Sequence, residues 1–328
     1  MKLRRIYFLL IPLLLLCVAA GLCFGSTPMT PAQLLDALTG RADDAARIIL
    51  WQLRLPRVIA GILAGAGLSA AGVLLQSVTA NHLASPNIIG INSGAGLAVI
   101  LMLTAFPAAG QWLPFAAFLG AFGAAMVILF AADRLGGSRV GILLIGLAIT
   151  AILNAAISFL SLLDEGILAQ YNHFTVGSLK AVRSADLLLP GIMILVCILA
   201  VTVVRNQLNV LCLGDAAAAA LGIRVKRLRV FALGCAAACA AAVVSFAGLL
   251  GFVGLIVPHI ARQLVGHQHA KVLPVSLVLG AILVLLADLL GRTLFAPSEL
   301  PVGILMSLIG GPYFLILLCR RKNHAEIA

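Results

Sequence analysis

The sequence predicts an all-α, polytopic membrane protein, a single bundle of about ten transmembrane helices over residues 1–328. Three observations carry this. First, 62% of the residues are hydrophobic and 10% charged, with a mean hydropathy of +1.16, whereas a soluble domain is about half apolar and a quarter charged. Such a chain cannot cover a globule with polar surface, so lipid must solvate most of it. That excludes soluble enzymes, secreted binding modules and free nucleic-acid binders. Second, the apolar residues fall in runs long enough to cross a hydrocarbon core of about 30 Å. Third, lysine and arginine are distributed unevenly among the loops between those runs.

The first run, over 6–25, follows Lys2, Arg4 and Arg5. It has the basic lead of a secretory signal, but signal cores are only about 7–15 residues long. No clean small-x-small site precedes Ser26, so a retained first helix is expected. Spans follow at 56–78, 88–106, 113–132, 140–163 and 187–204. The next run, 230–266, holds 37 residues and as one helix would extend about 55 Å, nearly twice the core. It therefore divides into 230–249 and 250–266, with Gly248, Gly251 and Gly254 as the natural turning place. Spans at 272–291 and 302–319 complete the set. An even number of spans puts both termini on one side, expected to be the cytoplasm.

Charge favours this count. With the N-terminus inside, 15 of the 22 lysines and arginines lie inside, leaving Arg41, Arg47, Arg54, Arg57, Lys180, Arg183 and Arg292 outside. Reading 230–266 as one span would move Arg262, Lys271 and Arg320-Arg321-Lys322 outside and erase the bias. The net charge of +11 is thus read as basic cytoplasmic loops, with no nucleic-acid partner. Gly61/Gly65 and Gly90/Gly94 have the small-x-x-x-small spacing that lets helix backbones approach closely. A large bundle needs such contacts internally, and that reading is preferred to dimerisation.

Several chemistries are missing. The seven cysteines are scattered with no C-x-x-C, giving neither a disulfide framework nor a zinc signature. His267-Gln-His269, and Cys235 with Cys239 at i, i+4, each supply two ligands where a metal needs three or four. No metal or cofactor is expected. There is no H-E-x-x-H and no phosphate loop, since no Gly-Lys dipeptide occurs. The chain is therefore read as no enzyme, and any ATP hydrolysis belongs to a separate subunit. Asp288 is the only acid well inside a span, and Arg292 lies four residues on, where a local ion pair would neutralise it.

Three stretches exceed generic membrane packing. The first is Arg54-Leu-Pro-Arg57, then Ala60 to Gly72 with its repeated small residues, Gln76, and Asn81-His-Leu-Ala-Ser-Pro86. The second is Leu213-Gly-Asp-Ala-Ala-Ala-Ala-Ala-Leu-Gly222. The third is Gly251-Phe-Val-Gly-Leu-Ile-Val-Pro-His-Ile-Ala-Arg262, followed by Asp288, Glu299-Leu-Pro-Val-Gly303 and Gly310-Gly-Pro-Tyr-Phe314. In this order they closely resemble the permease subunits of ABC importers for iron–siderophore complexes, haem and cobalamin, the FecCD family, over residues 45–320.

The resemblance implies a type II importer permease in a bacterial inner membrane. It implies two cytoplasmic ATPase subunits, a periplasmic or lipid-anchored binding protein that delivers substrate, and a second permease, most simply another copy. Leu213, Gly214, Asp215, Ala216, Ala217, Ala218, Ala219, Leu221 and Gly222 match the coupling helices that dock in the ATPase. Arg54, Arg57 and Arg292 match arginines that pair with glutamates of the binding protein, and removing charge at Arg54 and Arg57 is expected to weaken docking without unfolding the bundle. Asn81 and Leu83 match the inner gate, although His82 stands where the family has proline. Phe174 replaces a frequent tryptophan in Phe174-Thr-Val-Gly-Ser-Leu179, expected outside near the pore mouth. The substrate implied is an iron(III) complex, with cobalamin or haem as alternatives. A stand-alone secondary transporter or channel is the alternative of another class.

Overall fold

The computed structural model describes residues 2–25, 29–41, 43–87, 90–134, 139–163 and 165–325, and among these it is helical with no strand. In chain order the helices are α1 (Lys2–Cys23), α2 (Pro31–Thr39), α3 (Asp44–Ile48), α4 (Leu55–Thr79), α5 (Ile91–Ala105), α6 (Leu113–Arg134) and α7 (Arg139–Ser161). They continue as α8 (Glu165–Val176), α9 (Ser184–Leu211), α10 (Asp215–Ala220), α11 (Val225–Ala247), α12 (Val253–Val265), α13 (His269–Thr293) and α14 (Val302–Ala325). A π-helical stretch, Ile49–Arg54, joins α3 to α4. Residues 88 and 89, at the start of one expected span, and Asp164, at the head of the outer loop, lie outside the described residues, as do the side chains of Arg139, Arg320, Arg321 and Lys322.

Among the described residues seven helices are long and apolar enough to cross a membrane, and Ile91–Ala105, Val253–Val265 and Val302–Leu317 are shorter apolar helices. Their burial divides them sharply. The hydrophobic windows of Asp44–Thr79 and Val225–Ala247 are each 78% buried by the rest of the chain, against 17% for Leu3–Cys23 and for Gly141–Ser161. So α4, α11 and α13 form the core, with α1, α6, α7 and α9 around it.

Small residues make that core possible, because backbones must come closer than side chains would allow. A methyl group on Gly65 would overlap the carbonyl of Gly280 on α13, and one on Gly72 would overlap that of Gly254 on α12. Gly61 also faces α13, at Leu285, while Gly90 and Gly94 face Ile128 and Gly120 of α6. Both small-residue stripes therefore pack inside the chain.

The division of 230–266 falls between Ala247 and Val253. Gly248, at φ +69°, closes α11, and Leu249–Phe252 run non-helically. Gly254 does not belong to the turn; it lies within α12 as the contact for Gly72. Backbone polar groups cannot be left unsatisfied in the hydrocarbon region, and here the segment Phe174–Leu179 supplies partners. Ser178 N donates to Ala247 O at 2.9 Å, Leu249 N to Phe174 O at 3.4 Å, and Gly303 N to Gly177 O at 3.1 Å. The stretch singled out for its phenylalanine thus ties α8 to the α11–α12 break and to the start of α14.

Three helices were not foreseen. α2 and α3 are short and rich in polar residues, and each is started by a side chain that caps its backbone, Thr30 for α2 and Asp43 for α3. α8 is the third. α9 also outruns its expected span of 187–204, because Arg205, Asn206 and Gln207 end the apolar run without ending the helix.

Candidate functional site

Two polar clusters occupy opposite ends of the bundle. We call the end carrying the loops around 81, 213 and 267 the inner end, following the charge bias.

At the outer end Arg54, Arg57 and Arg292 come together, and all three are buried. Arg57 stands at the first turn of α4, where Nε and Nη2 each donate to Asp288 Oδ1 at 2.9 Å and Nη1 donates to Glu299 Oε2 at 2.9 Å. Arg292 Nε is 3.6 Å from Asp288 Oδ2. The local pair expected between Asp288 and Arg292 is therefore the secondary contact, and Arg57, 231 positions away, is the main partner. This correction has a geometric cause: the i, i+4 spacing brings Arg292 near, but only Arg57 presents its planar fork to both carboxylate oxygens.

The remaining donors hold α1. Arg292 Nη2 donates to Gly21 O at 2.6 Å, and Arg54 Nη1 donates to Cys23 O at 2.8 Å and also to Leu22 O. These carbonyls belong to the last turn of α1, which has no intrahelical donors of its own, and a cation there also meets the negative end of the helix dipole. Removing charge at Arg54 and Arg57 would consequently strip Asp288 and Glu299 of a partner and uncap α1. The double change is therefore expected to lower the stability of the bundle as well as to weaken docking. The three arginines nevertheless line an open cleft of about 300 Å³ with exposed Lys180 and with Glu299, the only acid among the described residues of its lining.

At the inner end the segment Leu213–Gly222 contains helix α10, residues Asp215–Ala220. Ala218 is fully buried and seats the helix, while Asp215 accepts from Arg229 Nη2 on α11 at 2.7 Å. Asp215, Ala216, Ala217 and Ala219 face outward. Leu213 is 71% exposed and Leu221 66%, so two large apolar side chains flank a small-residue helix outside the spans. Gly214 and Gly222 both have positive φ, +119° and +80°, which turns the chain sharply at each end.

Asn81 and Leu83 form a tight turn directly after α4. Ala80 takes the left-handed conformation at φ 47°, Leu83 N donates to Asn81 Oδ1 at 2.9 Å, and Ala84 N donates to Asn81 O at 3.1 Å. The asparagine side chain closes the turn that a proline at 82 would otherwise restrict. Below it, Gln76 on α4 donates from Nε2 to Gly254 O at 3.2 Å and accepts from Arg262 Nη1. His269 does not form a clip with His267: its Nδ1 meets Asn209 Oδ1 at 2.7 Å and its Nε2 meets Ser77 Oγ. Among the described residues no group of three His, Cys, Asp or Glu could hold a metal ion.

Sequence reading named Gln76, Arg262 and Glu299 within motifs but gave them no role, and it gave Lys180 none either. A signal was present: Gln76 is a strongly polar residue within an apolar span, where every such group needs a partner.

Comparison with known proteins follows the same lines. The sequence profile of the FecCD transport family matches residues 13–320. The Fe(3+)-citrate import system permease protein YfmE of Bacillus subtilis is 39% identical over 297 residues, covering 90% of this chain and 88% of its own. The iron(3+)-hydroxamate import system permease protein FhuG of the same organism is 37% identical, covering 92% of each chain. The hemin transport system permease protein HmuU of Yersinia pestis is 37% identical, covering 97% and 96%. A solved structure described as an inward-facing conformation of a metal-chelate type ABC transporter superimposes with a TM-score of 0.87 at 30% identity, covering 97% of this chain and 99% of that one.

Proposed function

The chain belongs to the FecCD transport family, and from that membership we propose that it is the membrane-spanning permease of a binding-protein-dependent ABC importer for an iron(III) chelate. In this reading it crosses a bacterial inner membrane ten times, with both termini in the cytoplasm. It works beside a second permease, two ATPase subunits and a binding protein that delivers substrate to the outer face.

The observation that carries the ATPase partner is the exposure of Leu213 and Leu221 at either end of α10. Apolar side chains of that size, held on a rigid short helix outside the spans, favour a partner that covers them. Motion received there has a physical route. α10 is tied to α11 through Asp215 and Arg229, α11 packs on α4, and α4 runs into the turn at Asn81 and Leu83. Cassettes that close on ATP would thus move core helices as bodies and change the opening beside that turn, as alternating access requires. At the outer face, the cleft of Arg54, Arg57, Arg292 and Lys180 carries more positive than negative charge and suits a carboxylate from the binding protein.

A stand-alone secondary transporter is less well supported, because Asp288 is committed to Arg57 and offers no free carboxylate for ion coupling. The test is to purify the tagged chain gently from native membranes and to measure uptake of ⁵⁵Fe-citrate, ⁵⁵Fe-hydroxamate and haem by the resulting complex. A co-purifying ATPase with ATP-dependent ⁵⁵Fe-chelate uptake is the expected result. Uptake of haem alone would move the substrate to the reading that the hemin permease relative favours. Uptake without any ATPase would overturn the importer assignment.

A further inference from the structure

The inner end contains a cavity that the transport reading leaves unused. Its volume is about 520 Å³, room for a polyatomic ion, since one water takes roughly 30 Å³ in the liquid. It is walled by the end of α4, the turn after it at His82, the end of α9 and the lead into α10 at Asn209, Cys212 and Leu213, and the α12–α13 junction from Arg262 to His269. Among the described residues no acid lines it.

Arg262 is the central feature. It is partly buried at the end of α12, and one of its five N–H donors goes to the neutral amide oxygen of Gln76. Among the described residues no carboxylate pairs with it. The acids nearest in sequence to the inner loops are taken elsewhere: Asp133 pairs with Lys226 at 2.8 Å and Asp215 with Arg229 at 2.7 Å. A guanidinium withdrawn from water without a counter-charge is costly, and Gln76 holds it in place without neutralising it. The surroundings add donors and positive potential. His267 and Gln268 lie exposed on the loop, and the cavity sits at the N-terminus of α13, a helix of 25 residues whose dipole favours negative charge. His269, fixed by Asn209 and Ser77, sets the position of that terminus.

We propose that this cavity binds a small free polyanion bearing carboxylate or phosphate groups from the inner side, with Arg262 as its counter-charge and His267 as a second donor. An anion there would touch both the turn beside Asn81 and the lead into α10. It would hold the two loops in one relative position and oppose the rearrangement that transport needs. The site rests on the residues just named, whereas its effect on transport rests also on the permease reading.

The test uses the full chain, with its ATPase where one assembles, in nanodiscs of neutral lipid. Binding of citrate and of inorganic phosphate is measured by equilibrium dialysis with labelled ligand. Saturable binding is expected, weakened about tenfold or more in Arg262→Gln and about threefold in His267→Ala, as losing a charged and a neutral hydrogen bond implies. The second variant lies on an exposed loop and remains informative if the first fails to fold. Equal binding in wild type and His267→Ala, or binding that rises without saturation, would overturn the site. Loss of citrate binding when anionic lipid is added to the nanodisc would replace the free anion by a lipid headgroup. Citrate trapped inside proteoliposomes should also slow uptake in wild type and not in Arg262→Gln; unchanged uptake despite binding would overturn the claim that the anion ties the two loops.

Discussion

At the outer end of the bundle Arg57 meets the carboxylates of Asp288 and Glu299, while at the inner end Arg262 meets the amide of Gln76 and, among the described residues, no carboxylate. The same helix serves both, since α4 begins near Arg57 and carries Gln76 toward its close. In the outer cluster Arg57 and Arg292 find carboxylates within the chain and, with Arg54, close α1 and α13 onto α4, leaving a net positive charge at the cleft. The inner arginine is held but not neutralised, which leaves it a charge to offer a ligand. Burial alone does not separate a structural arginine from a binding one; the presence of a counter-charge does.

The largest effect should come from breaking the outer balance. Asp288→Ala leaves Arg57 and Arg292 without their shared carboxylate, and removing one partner of a buried pair costs about 3–5 kcal/mol. We expect poor recovery of folded protein and a marked fall in melting temperature in detergent. Arg262→Gln, which removes a charge held by a neutral amide, should cost only about 1 kcal/mol. Equal destabilisation of the two variants would erase the distinction between the ends.

Next comes the surface of α10. Ala217→Glu and Ala219→Glu place a charge on its exposed side and should uncouple ATP hydrolysis from uptake while the protein stays folded. Ala218→Glu forces a charge into a fully buried position and should lower stability as well. Comparing ATPase activity with uptake in proteoliposomes separates them, and normal uptake in Ala217→Glu would remove α10 from the coupling route.

A smaller effect is expected at the mouth of the outer cleft. Lys180 is exposed and lines the cleft without taking part in the buried bonds, so Lys180→Glu tests docking where changes at Arg57 would also disturb folding. Affinity for the binding protein should fall severalfold, and less at high salt, because exposed charges are screened over about 10 Å at 0.1 M. Unaltered affinity in surface plasmon resonance would leave that cleft purely structural. The smallest change is Asn81→Ala, which removes one side-chain hydrogen bond to Leu83 N, about 1 kcal/mol. It should loosen the turn, read as faster labelling of a cysteine introduced at Leu83. Unchanged labelling would show that the backbone alone closes the turn.

Much of the architecture was legible from the amino acids because hydropathy and length are local properties. A largely apolar run of 37 residues is too long for one span, and the chain breaks between Ala247 and Val253. The family resemblance implies a coupling helix within Leu213–Gly222, and the short helix α10 lies there. Less was legible where polarity and helix part company. The extension of α9 beyond its apolar run goes unmarked by hydropathy, yet it carries Asn209, which fixes His269. α2 and α3 are short helices started by the caps Thr30 and Asp43, and neither carries an apolar run long enough to mark it as a span.

The sequence by itself determined that this chain lives in lipid, where its apolar helices lie and which family it resembles, since composition, run length and motif order need no knowledge of contacts. Only the tertiary structure decided which partner each buried polar group takes. Arg57 finds Asp288 across 231 positions, Gly72 finds Gly254, and Arg262 finds the amide of Gln76. Such pairings follow from how helices cross, and crossing is set by the packing of whole helix faces, not by any neighbourhood along the chain.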